Sequence, residues 1–204
     1  IRWFTATTEL ELCGHGTLAA AHVLWESGRV APEAVARFQT PSGRLSAARR
    51  EGWIELDFPA APASVEEAPT DLIASLGVSA KWTGRNRLDW LVEVESASVV
   101  RAVAPDLARL GAVPTRGVIV TAPADDTRAD FVSRFFAPRA GIPEDQVTGS
   151  AHCCLGPYWA ARLGREALTG YQASPRGGFV RVRSAGERVI LGGRAVTVLR
   201  GELA

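Results

Sequence analysis

Two stretches of the chain share a hydrophobic pattern that is neither strand-like nor ordinarily amphipathic. "CGHGTLAAAHVLW", from Cys13, and "TGSAHCCLGPYWA", from Thr148, run for three turns on small and apolar residues with little charge. That pattern predicts helices buried nearly all round. The two align at a constant offset, with Gly14 on Gly149, His15 on Ser150, Gly16 on Ala151 and Ala19 on Cys154. The segments C-terminal to them match as well. "RFQTPSGRLSAARREGWIELDF" and "GYQASPRGGFVRVRSAGERVIL" each read as strand, Pro/Ser/Gly turn, strand, polar turn and strand. The polar turns are Arg50-Glu51-Gly52 and Ala185-Gly186-Glu187. An extended segment precedes each helix, "RWFTATTELEL" in one half and "DFVSRFFAP" in the other.

The repeat implies two copies of one unit, strands wrapped about a central, mostly apolar helix. The expected fold is α+β, with two pseudo-symmetric domains, each a barrel-like β-sheet around a central α-helix. Residues 1–65 make a truncated first domain with its helix over about 14–27. Residues 66–204 make the second, with its helix over about 149–163 and a last strand that can return to the first domain. The Pro/Ala/Glu-rich stretch "PAAPASVEEAPT", Pro59 to Thr70, carries the boundary. Ahead of the second copy stand "RLDWLVEVES" (strand), "SVVRAVAPDLARLG" (amphipathic helix) and "RGVIVTAPA" (strand). The first copy has no counterpart, so the repeat predicts roughly 50 further residues of the first domain, N-terminal to Ile1. The absence of methionine agrees with that expectation.

Composition narrows the function classes. With 23 basic and 22 acidic side chains the net charge is +1, which supplies no basic patch for nucleic acid. No apolar run approaches the ~20 residues of a membrane span, and no signal peptide opens the chain. Three cysteines, two of them adjacent, do not make a disulfide framework, so a reducing, cytoplasmic setting is expected.

Each central helix opens on glycine, at Cys13-Gly14-His15-Gly16 and at Thr148-Gly149-Ser150. A helix start leaves its first N–H groups unpaired and carries partial positive charge. Glycine lets a ligand approach those donors, so each start is a candidate anion cradle. Taken singly, the glycines also suit tight packing of a buried helix. The repeat favours the cradle, because both starts keep a polar side chain after the glycine. Asp145 reads alone as a capping acid, and beside the second cradle as a general acid/base; Glu144 reads as solvated. His15 can donate to a substrate oxygen or relay a proton. His22 reads as a core histidine, and His152 as a neighbour of the cleft behind its lining. The spacing of Cys13, Cys153 and Cys154 with the histidines matches no metal site, so no metal is expected. "CGHGTLA" has the look of a dinucleotide fingerprint, but no acidic residue closes a second strand about 20 positions on. "KWTGRNRLDW", Lys81 to Trp90, reads as a solvated loop leading into a strand.

"RWFTATTELELCGHGTLAAAHVLWE" and "RFFAPRAGIPEDQVTGSAHCCLGPYWAARLG", with the "TPSG" turn and the "ELDFPA" strand, closely resemble the PhzF family of phenazine-biosynthesis-like isomerases. The resemblance covers nearly the whole chain and implies the diaminopimelate epimerase fold, with an active site in the cleft between two domains. It implies a cofactor-independent isomerase that moves a proton between carbons of a small carboxylate metabolite. By it, Asp145 and His15 are catalytic, and Gly14, Gly16, Gly149 and Ser150 bind substrate. The partner glutamate is implied in a "SET"-like stretch upstream of "RWFT", and a homodimer is implied as common. Gln146 stands where the family often has proline. Two-thiol racemases of the same fold need a cysteine where this chain has Thr148. A non-catalytic small-molecule binding protein on the same scaffold is the reading from another class.

Overall fold

The computed structural model describes residues 1–4, 9–10, 12–41 and 43–202, with Leu10 described by its backbone alone. Thr5 to Thr8 and Glu11 of the first extended segment, and Ser42 of the "TPSG" turn, lie outside the described residues. The described part of that segment pairs strand β1 (Trp3–Phe4) with β2 (Glu9–Leu10). Helix α1 comes next at Gly14–Glu26. Three antiparallel strands succeed it, β3 (Ala36–Thr40), β4 (Gly43–Arg50) and β5 (Trp53–Pro59). Glu51 and Gly52 both take positive φ, 50° and 77°, which suits a two-residue turn between β4 and β5.

Strand β6 (Ser64–Val65) leads to helix α2 (Thr70–Leu76), then β7 (Trp82–Arg85) and β8 (Asp89–Glu93). The stretch read as a solvated loop is therefore largely a hairpin, with Trp90 only 3% exposed. The expected amphipathic helix is two short ones, α3 (Ala97–Ala102) and α4 (Leu107–Ala112). Pro105 between them supplies no N–H for a continuous helix, and Asp106 restarts it by accepting from the Ala108 and Arg109 amides. The chain continues through β9 (Gly117–Pro123), β10 (Phe131–Ala137), β11 (Ile142–Asp145) and helix α5 (Gly149–Leu163). It closes its pattern with β12 (Ala167–Gln172), β13 (Gly178–Ala185) and β14 (Arg188–Gly193).

Apart from the β1–β2 pair, which stands as a sheet of its own, the strands form one continuous sheet in the order β3-β4-β5-β14-β13-β12-β10-β9-β8-β7-β6, with β11 on β10. Pairing is antiparallel except β10 with β12 and β8 with β9. The seam between β5 and β14 runs from Ile54 opposite Gly193 to Pro59 opposite Arg188. The architecture is thus mixed α+β, each half holding one long helix against the sheet.

The two helices are not buried alike. Helix α5 hides Ala151 to Gly156, Tyr158 and Trp159. Helix α1 hides only Gly14, Thr17, Ala21 and Trp25, one residue per turn, while Ala19 and Val23 are exposed. Burial nearly all round therefore fails for α1, because among the described residues its packing is one-sided. Pro157 sits inside α5 and cannot bond the carbonyl four residues back. That carbonyl, of Cys153, instead accepts the Ala61 amide at 3.0 Å. Among the described residues, no helix is long and apolar enough to cross a membrane.

The starts of α1 and α5 meet at glycine. A Cβ on Gly14 would lie 3.1 Å from the Gly149 Cα, and one on Gly149 would lie 3.2 Å from the Gly14 Cα. Both alanines would compete for one gap, so stability should fall by about 1–3 kcal/mol more in the double variant than the single variants sum to. Denaturant unfolding of Gly14→Ala, Gly149→Ala and their combination measures this; strict additivity would contradict it. His152, fully buried, has its pKa pushed by burial from 6.5 down to about 4. The unfolded chain binds that proton more readily, so stability should fall as pH drops from about 6.5 to 4. The same unfolding measurements on His152→Gln should show that limb flattened.

Candidate functional site

Neither α1 nor α5 has a capping side chain or an acid in its first turn. The first amides of both helices are therefore left without the usual side-chain acceptors. With Gly14 and Gly149 in contact, the two positive helix ends converge on one cleft of about 660 Å³. His15 and Asp145 line it with these glycines, and so do Leu18, Leu56, Val147 and Leu191. Gly14, His15, Asp145 and Gly149 are thus brought together. Gly16 is not in that lining: a Cβ there would lie 3.0 Å from both Cys13 Sγ and the Trp3 ring, so its smallness serves packing.

Asp145 is the last residue of β11 and is held from three sides. Its Oδ1 accepts the Gln146 amide at 2.9 Å, and its Oδ2 accepts the Thr148 hydroxyl at 2.6 Å. Fully buried Gln172 donates to the Asp145 carbonyl at 2.8 Å and to Thr148 Oγ1 at 3.1 Å, while its Oε1 accepts the Thr148 amide at 2.8 Å. Proline in place of Gln146 would have no amide for the carboxylate. The position that a second thiol would need holds a hydroxyl committed to Asp145.

His15 faces the cleft with its Nε2 3.4 Å from Cys13 Sγ. Chiefly that contact, with help from the charge on Asp145, raises the imidazole pKa from 6.5 to about 9 against the opposing effect of burial. Ser150 is not in the cleft lining. Its Oγ accepts from Arg116 at 3.0 Å, and Arg116 is in turn paired with Asp89, which is 1% exposed. Burial outweighs the arginine there and raises the Asp89 pKa.

Several remaining candidates play other parts. Glu144 is not solvated: both of its oxygens accept from Arg134, at 2.7 and 2.8 Å. His22 is only partly buried and meets Thr197 Oγ1 at 3.1 Å, so it marks a seam with the C-terminal segment rather than a core. His152 packs behind the α5 start with Nδ1 2.8 Å from the Thr148 carbonyl. Burial pushes the Cys153 and Cys154 thiols up to about 12, which makes them poor nucleophiles. Among the described residues, no group of three or more His, Cys, Asp and Glu side chains is placed to hold a metal. Gln172 and Arg116 escaped sequence reading, because nothing local marks a glutamine at a strand end or an arginine before one.

The His15 charge is directly observable. Since its folded pKa lies above 6.5, it favours the fold below that pH, and the contribution is lost as pH rises through about 9. An NMR titration should find the His15 imidazole half-protonated near 9, and Cys13→Ala should bring that midpoint down; an unchanged midpoint would remove Cys13 as the cause.

The comparisons with known proteins bear on the family of the chain. The family described as PhzC-PhzF, phenazine biosynthesis-like protein, matches residues 1–201. An uncharacterized isomerase of Halalkalibacterium halodurans is 48% identical over 204 residues, covering all of this chain and 77% of its own length. An uncharacterized isomerase of Pseudomonas aeruginosa is 47% identical over 203 residues, with the same coverage. A crystal structure of a PhzF-family phenazine biosynthesis protein from Enterococcus faecalis superposes with a TM-score of 0.92 at 40% identity, over all of this chain and 77% of that one. The chain belongs to the PhzC-PhzF family of phenazine biosynthesis-like, isomerase-type proteins.

Proposed function

We propose that the chain is a cofactor-independent isomerase that moves a proton between carbons of a small carboxylate metabolite. The observation that carries this reading is the Asp145 carboxylate. It is oriented by the Thr148 hydroxyl and the Gln146 amide, and lines the same cleft as both glycine helix starts.

The division of labour is set by charge. The amides at Gly14 and Gly149 and the protonated His15 form a positive floor that attracts the substrate carboxylate and stabilises negative charge developing on the carbon framework. Asp145 takes the proton from one carbon. His15, with a proton to give at neutral pH, can return or relay it. The family resemblance assigns a glutamate as the partner acid/base. The donors on Asp145 fix its direction, so that its remaining lone pairs point where a substrate C–H can approach. Buried Gln172 holds the backbone on both sides of this group and acts as a positioning residue.

A two-thiol epimerase has no support at Thr148, whose hydroxyl donates to Asp145. A binding protein without turnover remains the reading that a direct measurement separates. Incorporation of solvent deuterium into carbon positions of candidate carboxylates, measured by mass spectrometry, reports proton transfer without knowledge of the product. In the full-length protein, Asp145→Asn should lower that rate by roughly 10²–10⁴ while carboxylate binding persists. An unchanged rate would remove Asp145 from the mechanism.

A further inference from the structure

The carboxylate of Asp145 takes its direction from two successive peptide planes, and both are fixed by the end of β12. Ala173 extends the ladder beyond that strand by donating to the Ser133 carbonyl at 2.7 Å. Gln172 and Ser174 flank it, both buried, and both reach the segment that carries Asp145. The peptide between Asp145 and Gln146 presents its carbonyl to Gln172 Nε2 and its N–H to the Asp145 carboxylate. The next peptide presents its carbonyl, that of Gln146, to the Ser174 hydroxyl at 2.7 Å. The Gln146 side chain completes the attachment, its Oε1 accepting the Arg176 amide at 3.3 Å. The Gly177 amide in turn donates to Ser174 Oγ at 3.1 Å.

The turn that makes these contacts is also a wall of the cleft, to which Arg176, Gly177 and Gly178 contribute. It fits closely against its surroundings. A Cβ on Gly178 would lie 2.5 Å from Val147 Cγ2, and one on Gly177, whose φ is +65°, would lie 2.4 Å from the Tyr171 hydroxyl. Glutamine, unlike proline, does not lock its own φ. The N–H of Gln146 that meets Asp145 therefore has to be aimed from outside the residue, and the turn supplies three hydrogen bonds that do so.

We propose that Ser174 and the Gln146 side chain are positioning residues for proton transfer, tying the cleft wall at residues 176–178 to the N–H that aims the Asp145 carboxylate. This rests on the isomerase reading above and adds to it a second brace beside Gln172. Wall and carboxylate then move as one unit: a displacement of the turn rotates Gln146, and the carboxylate turns with it.

Solution NMR of the full-length protein labelled with 13C and 15N tests the brace without a substrate. Ser174→Ala should speed solvent exchange of the Gln146 amide proton by about tenfold and move the Asp145 carboxyl carbon signal. Ser174→Thr, which keeps the hydroxyl, should restore both. Gln146→Met, which drops the Oε1 acceptor and keeps the backbone amide, should move them the same way by less. Solvent-deuterium incorporation into 3-butenoate and 2-aminobutyrate reads the catalytic consequence. The saturating rate should fall about tenfold in Ser174→Ala with half-saturation unchanged, and Ser174→Thr should recover it. Unmoved Gln146 and Asp145 signals in both Ser174→Ala and Gln146→Met would overturn the proposal and leave the role of Asp145 standing. Moved signals with an unchanged rate would also overturn it, since the contacts would then serve the fold alone. No incorporation by the unaltered protein would count against the isomerase reading, and the NMR signals would still decide the brace.

Discussion

The contact between Gly14 and Gly149 is the constraint on which the rest of the site depends. Two helices of the same polarity bring their positive ends to within a Cβ's width of each other, an arrangement that repels unless something answers it. Only glycine on both sides permits the approach. Neither helix spends an acid in its first turn to cancel the field. The surrounding sheet holds the two ends together, and Asp145, just before α5, is the acid among the described residues of the cleft lining.

Environment divides residues of one kind into different roles. His15 and His152 both stand in the first turn or so of their helices, yet their proton affinities move in opposite directions. One meets the thiol of Cys13 and the charge of Asp145; the other is fully buried on α5, which lowers its proton affinity. The cysteines divide likewise. Cys13 touches a histidine at the cleft, while Cys153 and Cys154 are buried too deeply to ionise readily.

The sequence made much of this legible where the signal was local. Glycine ahead of small apolar residues marked both long helices, because close packing excludes larger side chains there. The turns at Glu51-Gly52 and Gly186 were equally readable, since backbone at positive φ selects its residues. The hidden contacts arise only when distant segments meet. Gln172 reaches Thr148 and Asp145 from another strand, and Arg116, just before β9, donates to Ser150 at the start of α5. The split of α3 from α4 is different: Pro105 announced it, and apolar periodicity on either side obscured it. The pairing of Glu144 with Arg134 shows the same limit, because strand register sets the two carboxylates of one short strand in unlike surroundings.

The continuous sheet also has a mechanical meaning. A protein that closes on its ligand by swinging two lobes needs a seam that bends. Here β5 and β14 are laced together over six opposed positions, from Ile54 with Gly193 to Pro59 with Arg188. Bending across that ladder would break several backbone hydrogen bonds at once. The Ala61 amide, tied to the Cys153 carbonyl inside α5, adds a strut between the segment after β5 and the second long helix. A stiff frame of this kind favours a reaction site set in advance.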